Sequence, residues 1–113
     1  MLNGNTNANT NGKNNVFIGD CAGYCAGASD IRCNNVFIGT KTGAGGAGRA
    51  SIFIGAYSGA GQAGSIPNVI GIGNLALCYS YGSASIGIGL FAGACSSSTN
   101  SIYLGNCTGV SNG

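Results

Sequence analysis

One short pattern recurs six times along the chain and constrains its fold more than any other feature. Each copy is an apolar residue, a central residue, a second apolar residue and a glycine. The copies span residues 16–19, 36–39, 52–55, 70–73, 86–89 and 102–105, and their closing glycines lie 20, 16, 18, 16 and 16 residues apart. Four residues after each closing glycine another glycine returns, except in the fourth copy, which has Leu77. Self-similarity at a short period is the sequence signature of a solenoid.

The length and composition of each copy indicate strands rather than helices. A period of 16 to 20 residues is too short for a helix–turn–helix repeat, and Val and Ile favour strands. Equivalent strands of successive coils would stack about 4.8 Å apart as a parallel sheet. The sequence therefore predicts an all-β fold, a parallel β-solenoid (β-roll) of about six 16–20-residue coils. It would occupy residues 14–113, with residues 1–13 as a polar lead-in or cap.

Side-chain alternation along each strand divides the repeat into inward and outward positions. We assign the first and third apolar positions to the narrow solenoid core. These are Val16, Ile18, Val36, Ile38, Ile52, Ile54, Ile70, Ile72, Ile86, Ile88, Ile102 and Leu104. On this assignment the central residue points outward, so Ile38→Asp would unfold a coil whereas Phe37→Asp would disrupt only assembly.

The outward assignment would place a ladder of aromatic rings on the wall of the rod. The predicted oligomer interface is Phe17, Phe37, Phe53 and Tyr103, with Gly71 and Gly87 in the same column. Contiguous apolar patches usually mark an interface, and burying each Phe would contribute roughly 1.5–3 kcal/mol. The alternative is that the chain's own loops cover these rings.

Charge and composition exclude most chemistries. The 113 residues include four basic and two acidic side chains, no His and no Trp, and Glu is also absent. Acid–base catalysis and most metal sites need side chains that this chain lacks. We therefore expect no enzymatic activity, no cofactor and no bound metal. The formal charge of +2, without a basic stripe, also argues against nucleic-acid partners, and no apolar run is long enough to predict a membrane span.

Six cysteines are the remaining reactive side chains. They are Cys21, Cys25, Cys33, Cys78, Cys95 and Cys107. The local pairs that a disulfide could join are Cys33 with Cys21 or Cys25, and Cys78 with Cys95 on neighbouring coils. Stapling between coils or chains would suit an extracellular protein. Free thiols packed as small hydrophobic groups are the alternative.

The repeat resembles two known groups of fibrous proteins. Its Asn/Ser-Val/Ile-x-Ile-Gly motif is similar to the head repeats of trimeric autotransporter adhesins. The Asn-Asn-Val-Phe-Ile-Gly form, in residues 14–19 and 34–39, resembles repeats in bacteriophage tail fibres and related virion appendages. The resemblance covers residues 14–109 and implies a left-handed parallel β-roll in a homotrimer. The cysteines, the unequal repeats and the lack of stalk heptads depart from adhesin heads and favour a virion or filament component.

Three functions follow from the repeat and its resemblances. The first is a non-enzymatic structural protein of a virion appendage, fibre or capsid decoration, found in the virion or outside cells. It would associate with itself and with other virion or filament proteins. The second is an adhesin or fibre module that binds a host receptor or surface glycan. The third is an ice-binding solenoid, although its small-residue column, Ala22, Thr42, Ser58, Ala76, Ala92 and Thr108, is not a regular Thr array.

Overall fold

The computed structural model describes residues 14–24, 33–45, 49–62 and 66–110, and these form a parallel β-solenoid of about five turns. Six strands stack in chain order into one sheet: β1 Val16–Ile18, β2 Val36–Ile38, β3 Ile52–Ile54, β4 Ile70–Ile72, β5 Ile86–Ile88 and β6 Ile102–Leu104. Every neighbouring pair is parallel and in the same register, so each repeat position forms a column along the rod. We number the coils 1–6 by their strands. The all-β parallel solenoid expected from the repeat is confirmed; residues 1–13 lie outside the described residues.

A glycine ends each strand because the chain turns there in a conformation that side chains rarely adopt. These six corner glycines have φ between 114° and 134°. They are Gly19, Gly39, Gly55, Gly73, Gly89 and Gly105. Successive corners also approach closely: a Cβ added at Gly39 would stand 2.6 Å from the carbonyl oxygen of Gly55. Both φ and the close approach therefore require glycine, which fixes the strand length at three residues.

A second row of backbone hydrogen bonds joins the coils beyond the corner. The N–H of Lys41 donates to the carbonyl of Asp20 at 2.8 Å, and the N–H of Gly43 donates to Ser58 at 2.8 Å. Equivalent bonds recur in each pair of neighbouring coils. The turns are thus as regular as the sheet, and the coils are held together on two sides of the tube.

The central residues point into the tube, which corrects the predicted interface of Phe17, Phe37, Phe53 and Tyr103. Phe37 and Phe53 are completely buried and Phe17 is 7% exposed. The rings of Phe17 and Phe37 stack with centroids 4.9 Å apart, and Phe37 and Phe53 are 5.5 Å apart. Tyr103 is half-buried and packs against the same core.

The ring fits inside because a glycine lies opposite it. We call this the ring-facing position; it is occupied by Gly23, Gly43, Gly59, Leu77, Gly93 and Gly109. A Cβ added at Gly43 would lie 2.7 Å from the Phe37 ring. The tube is therefore just wide enough for one ring per coil, and the flanking aliphatic side chains are excluded from it.

The predicted core residues lie on the outside of the sheet, which corrects the second half of that assignment. These flanking residues are Val16, Ile18, Val36, Ile38, Ile52, Ile54, Ile70, Ile72, Ile86, Ile88, Ile102 and Leu104. All of them are exposed or half-buried. Their exposure rises to 68% for Ile102 and 61% for Leu104 in the last coil. The predicted alternation of side chains along each strand is correct, but the inward and outward faces are the reverse of those predicted.

Coils 4 and 5 fill the tube in a different way. Their central residues are Gly71 and Gly87, and the space is taken by Leu77, which is fully buried. A Cβ added at Gly87 would lie 2.7 Å from Cγ of Leu77. One leucine from the opposite wall thus replaces the rings in this part of the core.

A ladder of polar side chains stabilises the turn before each strand. The N–H of Ser51 donates to Oδ1 of Asn35 at 3.0 Å, and the N–H of Val69 donates to Oγ of Ser51 at 3.3 Å. The N–H of Ser101 donates to Oγ of Ser85 at 3.4 Å. Asn35, Ser51 and Ser85 are buried. Coils 1, 2, 3 and 5 therefore offer a side-chain acceptor to the backbone of the next coil. Coil 4 has Val69 at this position and offers none.

Candidate assembly surface

The outer face of the sheet carries the flanking residues in two parallel rows. We call this surface the aliphatic face. The first row runs from Val16 to Ile102 and the second from Ile18 to Leu104, with one residue per coil in each row. Neighbouring strands in a sheet lie about 4.8 Å apart, so the rows are continuous along the rod. No described residue packs over them to bury the whole face, and six of the twelve side chains are among the exposed large hydrophobic residues.

The apolar surface continues around the corner that follows each strand. There Tyr57, Leu90 and Phe91 are exposed, and Leu75 is half-buried between them. We call these four residues the corner row. Tyr57, Leu75 and Phe91 occupy equivalent positions in coils 3–5, and Leu90 directly precedes Phe91. The corner row therefore follows the strands of the aliphatic face along the rod.

Little charge interrupts either surface. Asp20, Lys41 and Arg49 are the charged side chains in the described part of the chain, and all are exposed in coils 1–3. The ammonium of Lys41 lies 5.6 Å from the centre of the Tyr57 ring, within the range of a cation–π interaction. The sequence contains no charged residue from Ala50 onwards, so coils 4–6 contribute no charge to these apolar surfaces.

Sequence reasoning missed this surface because it placed the same residues in the core. The rings that were expected to form the interface, Phe17, Phe37 and Phe53, are inaccessible to a partner. The surface that a partner can reach is aliphatic. The pairing of each ring with a glycine six residues later was the available signal: Phe37 precedes Gly43, and where the ring is absent, at Gly71, the later residue is Leu77. Such compensation is expected of two positions that share one enclosed space.

The cysteines are distributed over different walls of the rod. Cys33 is half-buried, Cys78 is buried, and Cys95 and Cys107 are exposed. The thiol of Cys21 contacts Oδ1 of Asp20 at 3.5 Å, and Cys25 lies outside the described residues. The N–H of Cys95 donates to the carbonyl of Cys78 at 2.8 Å, so this predicted pair does lie on adjacent coils. Their thiols are not joined here, and pairing stays a prediction.

Two titratable side chains have shifted pKa values, and neither forms a reactive centre. Burial, and secondarily the nearby Cys95 thiol, raises the pKa of Cys78. Hydrogen bonds with Ser96 and then Ser98 lower the pKa of Tyr103; its hydroxyl lies 2.7 Å from Oγ of Ser96. A buried thiol with a raised pKa is a poor nucleophile. The hydroxyl of Tyr103 has a structural role, because its hydrogen bond with Ser96 links neighbouring coils.

Metal-binding clusters and membrane-spanning helices are two further features to consider in the described part of the chain. Among the described residues, no group of three or more His, Cys, Asp or Glu side chains is arranged to hold a metal ion. No helix in this part of the chain is long and apolar enough to cross a bilayer. Comparison with protein-family models, with curated proteins and with solved structures found no match for this chain.

Proposed function

We propose that the chain is a non-enzymatic structural module that assembles side by side with copies of itself. The aliphatic face carries this proposal: twelve outward side chains in six coils are Val, Ile or Leu. Large exposed apolar patches on soluble proteins mark interaction sites. A regular, uncharged face of this kind is poorly protected from self-association, and a second copy offers the same rows with the same spacing.

The dimensions of the two apolar surfaces favour a closed ring of copies over a twofold dimer. Six strands about 4.8 Å apart, with a width of about 10 Å, give a flat face of a few hundred Å². A standard interface covers about 800 Å² on each partner. Packing the aliphatic face of one copy against the corner row of the next would enlarge the contact and leave neither surface exposed. A homotrimer, which the repeat's resemblance implies, is the smallest ring of this kind.

The setting that we propose for this assembly is a virion appendage, a fibre or a capsid decoration. The support is the resemblance of the Asn-Asn-Val-Phe-Ile-Gly repeats in coils 1 and 2 to those of phage tail fibres, together with the scarcity of charge. Most sides of such a rod would be covered by sister chains or by other virion or filament proteins. The protein would then act in the virion or outside cells, as a rigid spacer.

A single charge on the aliphatic face tests the assembly. Ile88→Lys places an ammonium at the centre of the proposed contact, where it would be buried without a partner. Ser97→Lys adds the same charge at an exposed site outside both apolar surfaces. We expect light scattering to give a multiple of 11.0 kDa for the wild type and for Ser97→Lys. Ile88→Lys should have the monomer mass and an unchanged circular dichroism spectrum.

The opposite result would exclude lateral assembly through this face. If folded Ile88→Lys retains the mass of the wild type, or if the wild type is a monomer at every concentration, the proposal is wrong. Mass per particle also tests the trimer, since a stable dimer would contradict the ring arrangement. Imaging of the native particle for a fibre or capsid lattice tests the virion setting separately.

Receptor or glycan binding is the second candidate, and exposed tyrosines favour it. Tyr79 and Tyr81 are each more than half exposed, at 56% and 55%, and both lie outside the aliphatic face. Aromatic rings on a rigid scaffold can stack against sugars. A glycan array with Tyr79→Ala as control would test this function. Ice binding through the small-residue column has less support, because Thr42 and Ser58 are buried in that column.

A further inference from the structure

Three of the four corner-row residues have a backbone conformation that large side chains rarely adopt. Tyr57, Leu75 and Phe91 have φ of 58°, 58° and 56°, in the left-handed region. Each lies two residues after the glycine that ends the strand of its coil. We call these three side chains the ridge. The fold therefore holds large apolar groups at turns where Gly or Asn would cause less strain.

Two other left-handed turns of each coil mostly use the residues that this conformation favours. The position two residues before the strand holds Asn in four of the six coils, and the ring-facing position holds Gly in five. The position of the ridge is also left-handed in every coil but never holds Gly or Asn. Its residues are Cys21, Lys41, Tyr57, Leu75, Phe91 and Cys107. A side chain that is kept at a strained turn points to a function for that side chain.

Contacts within the chain account for large side chains at other left-handed turns. Leu77 is fully buried and fills the tube, and the ring of Tyr79 lies against Gly61 of the previous coil. The ridge differs from both. Phe91 is 36% exposed, and the core that the described residues form includes neither Phe91 nor Leu75. A contact with another molecule would account for these side chains.

The ridge has the axial spacing of the coils. The N–H of Leu75 donates to the carbonyl of Ala56 at 2.9 Å, and the N–H of Phe91 donates to the carbonyl of Asn74 at 3.0 Å. These bonds repeat the spacing of the sheet, so one ridge side chain follows another about every 4.8 Å. No charged residue occurs from Ala50 onwards. The ridge is therefore a regular, uncharged series of projections along coils 3–5.

The aliphatic face contains a groove with the same spacing. Its two rows are the first and third residues of each strand, about 6.6 Å apart along the strand. The central residues of coils 1–5 are buried in the tube, so backbone alone separates the two rows on the outer face. In coil 4 this groove runs between Ile70 and Ile72. Its width suits one side chain per coil, which is what the ridge supplies.

We propose that Tyr57, Leu75 and Phe91 determine how two copies join, by packing as a ridge into the groove of a second copy's aliphatic face. This inference rests on the lateral assembly proposed above and names the residues that set its geometry. The ridge and the groove are different surfaces, and each copy has one of each. The contact is therefore heterologous, and such contacts form a ring when their rotation closes.

Asparagine at the centre of the ridge tests this contact without disturbing the fold. Asn suits the φ of 58° at Leu75, and the side chain that is lost lies outside the core. Tyr79→Asn is the matched control, because Tyr79 is in the same coil, has φ of 51° and is 56% exposed. In sedimentation, Leu75→Asn should weaken self-association at least about tenfold, and Phe91→Asn should do the same. Tyr79→Asn should associate like the wild type, and all three should keep its circular dichroism spectrum.

Mixing two defective variants tests whether the ridge and the groove bind each other. Ile88→Lys alters the groove and keeps the ridge, whereas Leu75→Asn alters the ridge and keeps the groove. One intact contact is then available between a copy of each variant. We expect the mixture to form particles of two 11.0 kDa chains at a concentration where each variant alone is a monomer. An interface between two identical surfaces would not be restored in this way.

The results separate this inference from the lateral assembly on which it rests. If Ile88→Lys is a monomer but Leu75→Asn and Phe91→Asn assemble like the wild type, the ridge is not the mating surface and lateral assembly stands. If the mixture of Ile88→Lys and Leu75→Asn stays monomeric, the ridge and the groove do not bind each other. If the wild type is itself a monomer at every concentration, both proposals are wrong.

Discussion

Val36, Phe37 and Ile38 show why three apolar residues in succession do not reveal which side of a strand is buried. Alternation requires Phe37 to face away from its two neighbours, and both choices bury an apolar group. The structure buries the ring, because one side chain from each strand fills the tube and Gly43 leaves room for it. The two aliphatic neighbours are then left outside. Hydrophobicity alone could not decide between the faces.

Truncation of neighbouring residues in β2 should therefore have very different costs. Phe37→Ala removes a fully buried ring that stacks on Phe17 and packs at a tilt against Phe53. It should lower the free energy of unfolding by about 3–5 kcal/mol. Val36→Ala truncates a half-buried side chain on the outer face and should cost less than about 1 kcal/mol in the monomer. Chemical denaturation of both variants in the Ile88→Lys background, where copies are separate, provides the measurement; equal costs would contradict the orientation.

Cysteine reactivity provides a second test at the scale of single residues. Burial raises the pKa of the Cys78 thiol, so less thiolate is present at a given pH than at an exposed cysteine. At about pH 8, the reaction of Cys78 with iodoacetamide should be at least about tenfold slower than that of the exposed Cys107. Raising the pH should speed its reaction, since the thiolate is the nucleophile. Mass spectrometry of digested samples gives both rates. In the denatured chain the two cysteines should react at equal rates. Equal rates in the folded chain would contradict the prediction, because they would show that Cys78 is accessible.

At the scale of the coil, the repeat keeps the interior of the tube filled but does not always use the same residue to fill it. Coils 1–3 place a ring from the sheet against a glycine on the opposite wall, whereas coil 4 supplies Leu77 from that wall and coils 4 and 5 have glycine in the sheet. The side chain changes walls but the tube stays filled. Leu77 adopts φ of 53°, in the left-handed region where the other coils have glycine, so this solution includes some backbone strain.

Exchanging the two arrangements within coils 4 and 5 should show coupling. Gly87→Phe alone would clash with Leu77, and Leu77→Gly alone would leave a cavity. Together they give coil 5 the ring-and-glycine pair of coils 1–3, since Gly93 is already in place. The double variant should be more stable than the sum of the single effects predicts, by at least about 1 kcal/mol. Additive losses in thermal or chemical unfolding would show that the two positions do not share one space.

The sequence predicted the strands and turns of each coil correctly, but it predicted the wrong side of each strand to face the interior. The six strands, their parallel stacking and the corner glycines followed from the repeat, because φ requirements and register are local properties. The inner and outer faces depended on the width of the tube, which is set by contacts between Phe37 and Gly43 across the coil. Leu77 was visible as the exception in its column. Only the enclosed space shows that it compensates for the glycines at 71 and 87.

At the scale of the whole molecule, the scarcity of charge and the exposed aliphatic face have the same consequence. A rod with extents of 34 × 25 × 20 Å has a large surface for its volume. Ordinary domains protect such a surface with charged side chains. Here coils 4–6 have none. The cover that we propose for these sides is another copy of the rod.

Lateral assembly should therefore respond to temperature more than to salt. Salt screens charges, and the aliphatic face has none, so the particle mass should be unchanged between about 0.05 and 0.5 M salt. Hydrophobic association weakens on cooling. Sedimentation at low temperature should show more monomer than at room temperature. Dissociation by salt at constant temperature would indicate that Lys41, Arg49 or another charge holds the copies together.

The identical register of all six strands makes length a countable property of this protein. Each coil adds about 4.8 Å of rise and contacts only the coil on either side. Deleting residues 84–99 would remove one full period and bring the strand of coil 6 into the register that coil 5 now has. Unequal recombination between copies of the repeat could thus lengthen or shorten the rod in whole steps without designing a new core. The length of such a rod is therefore encoded in the gene as the number of repeat copies.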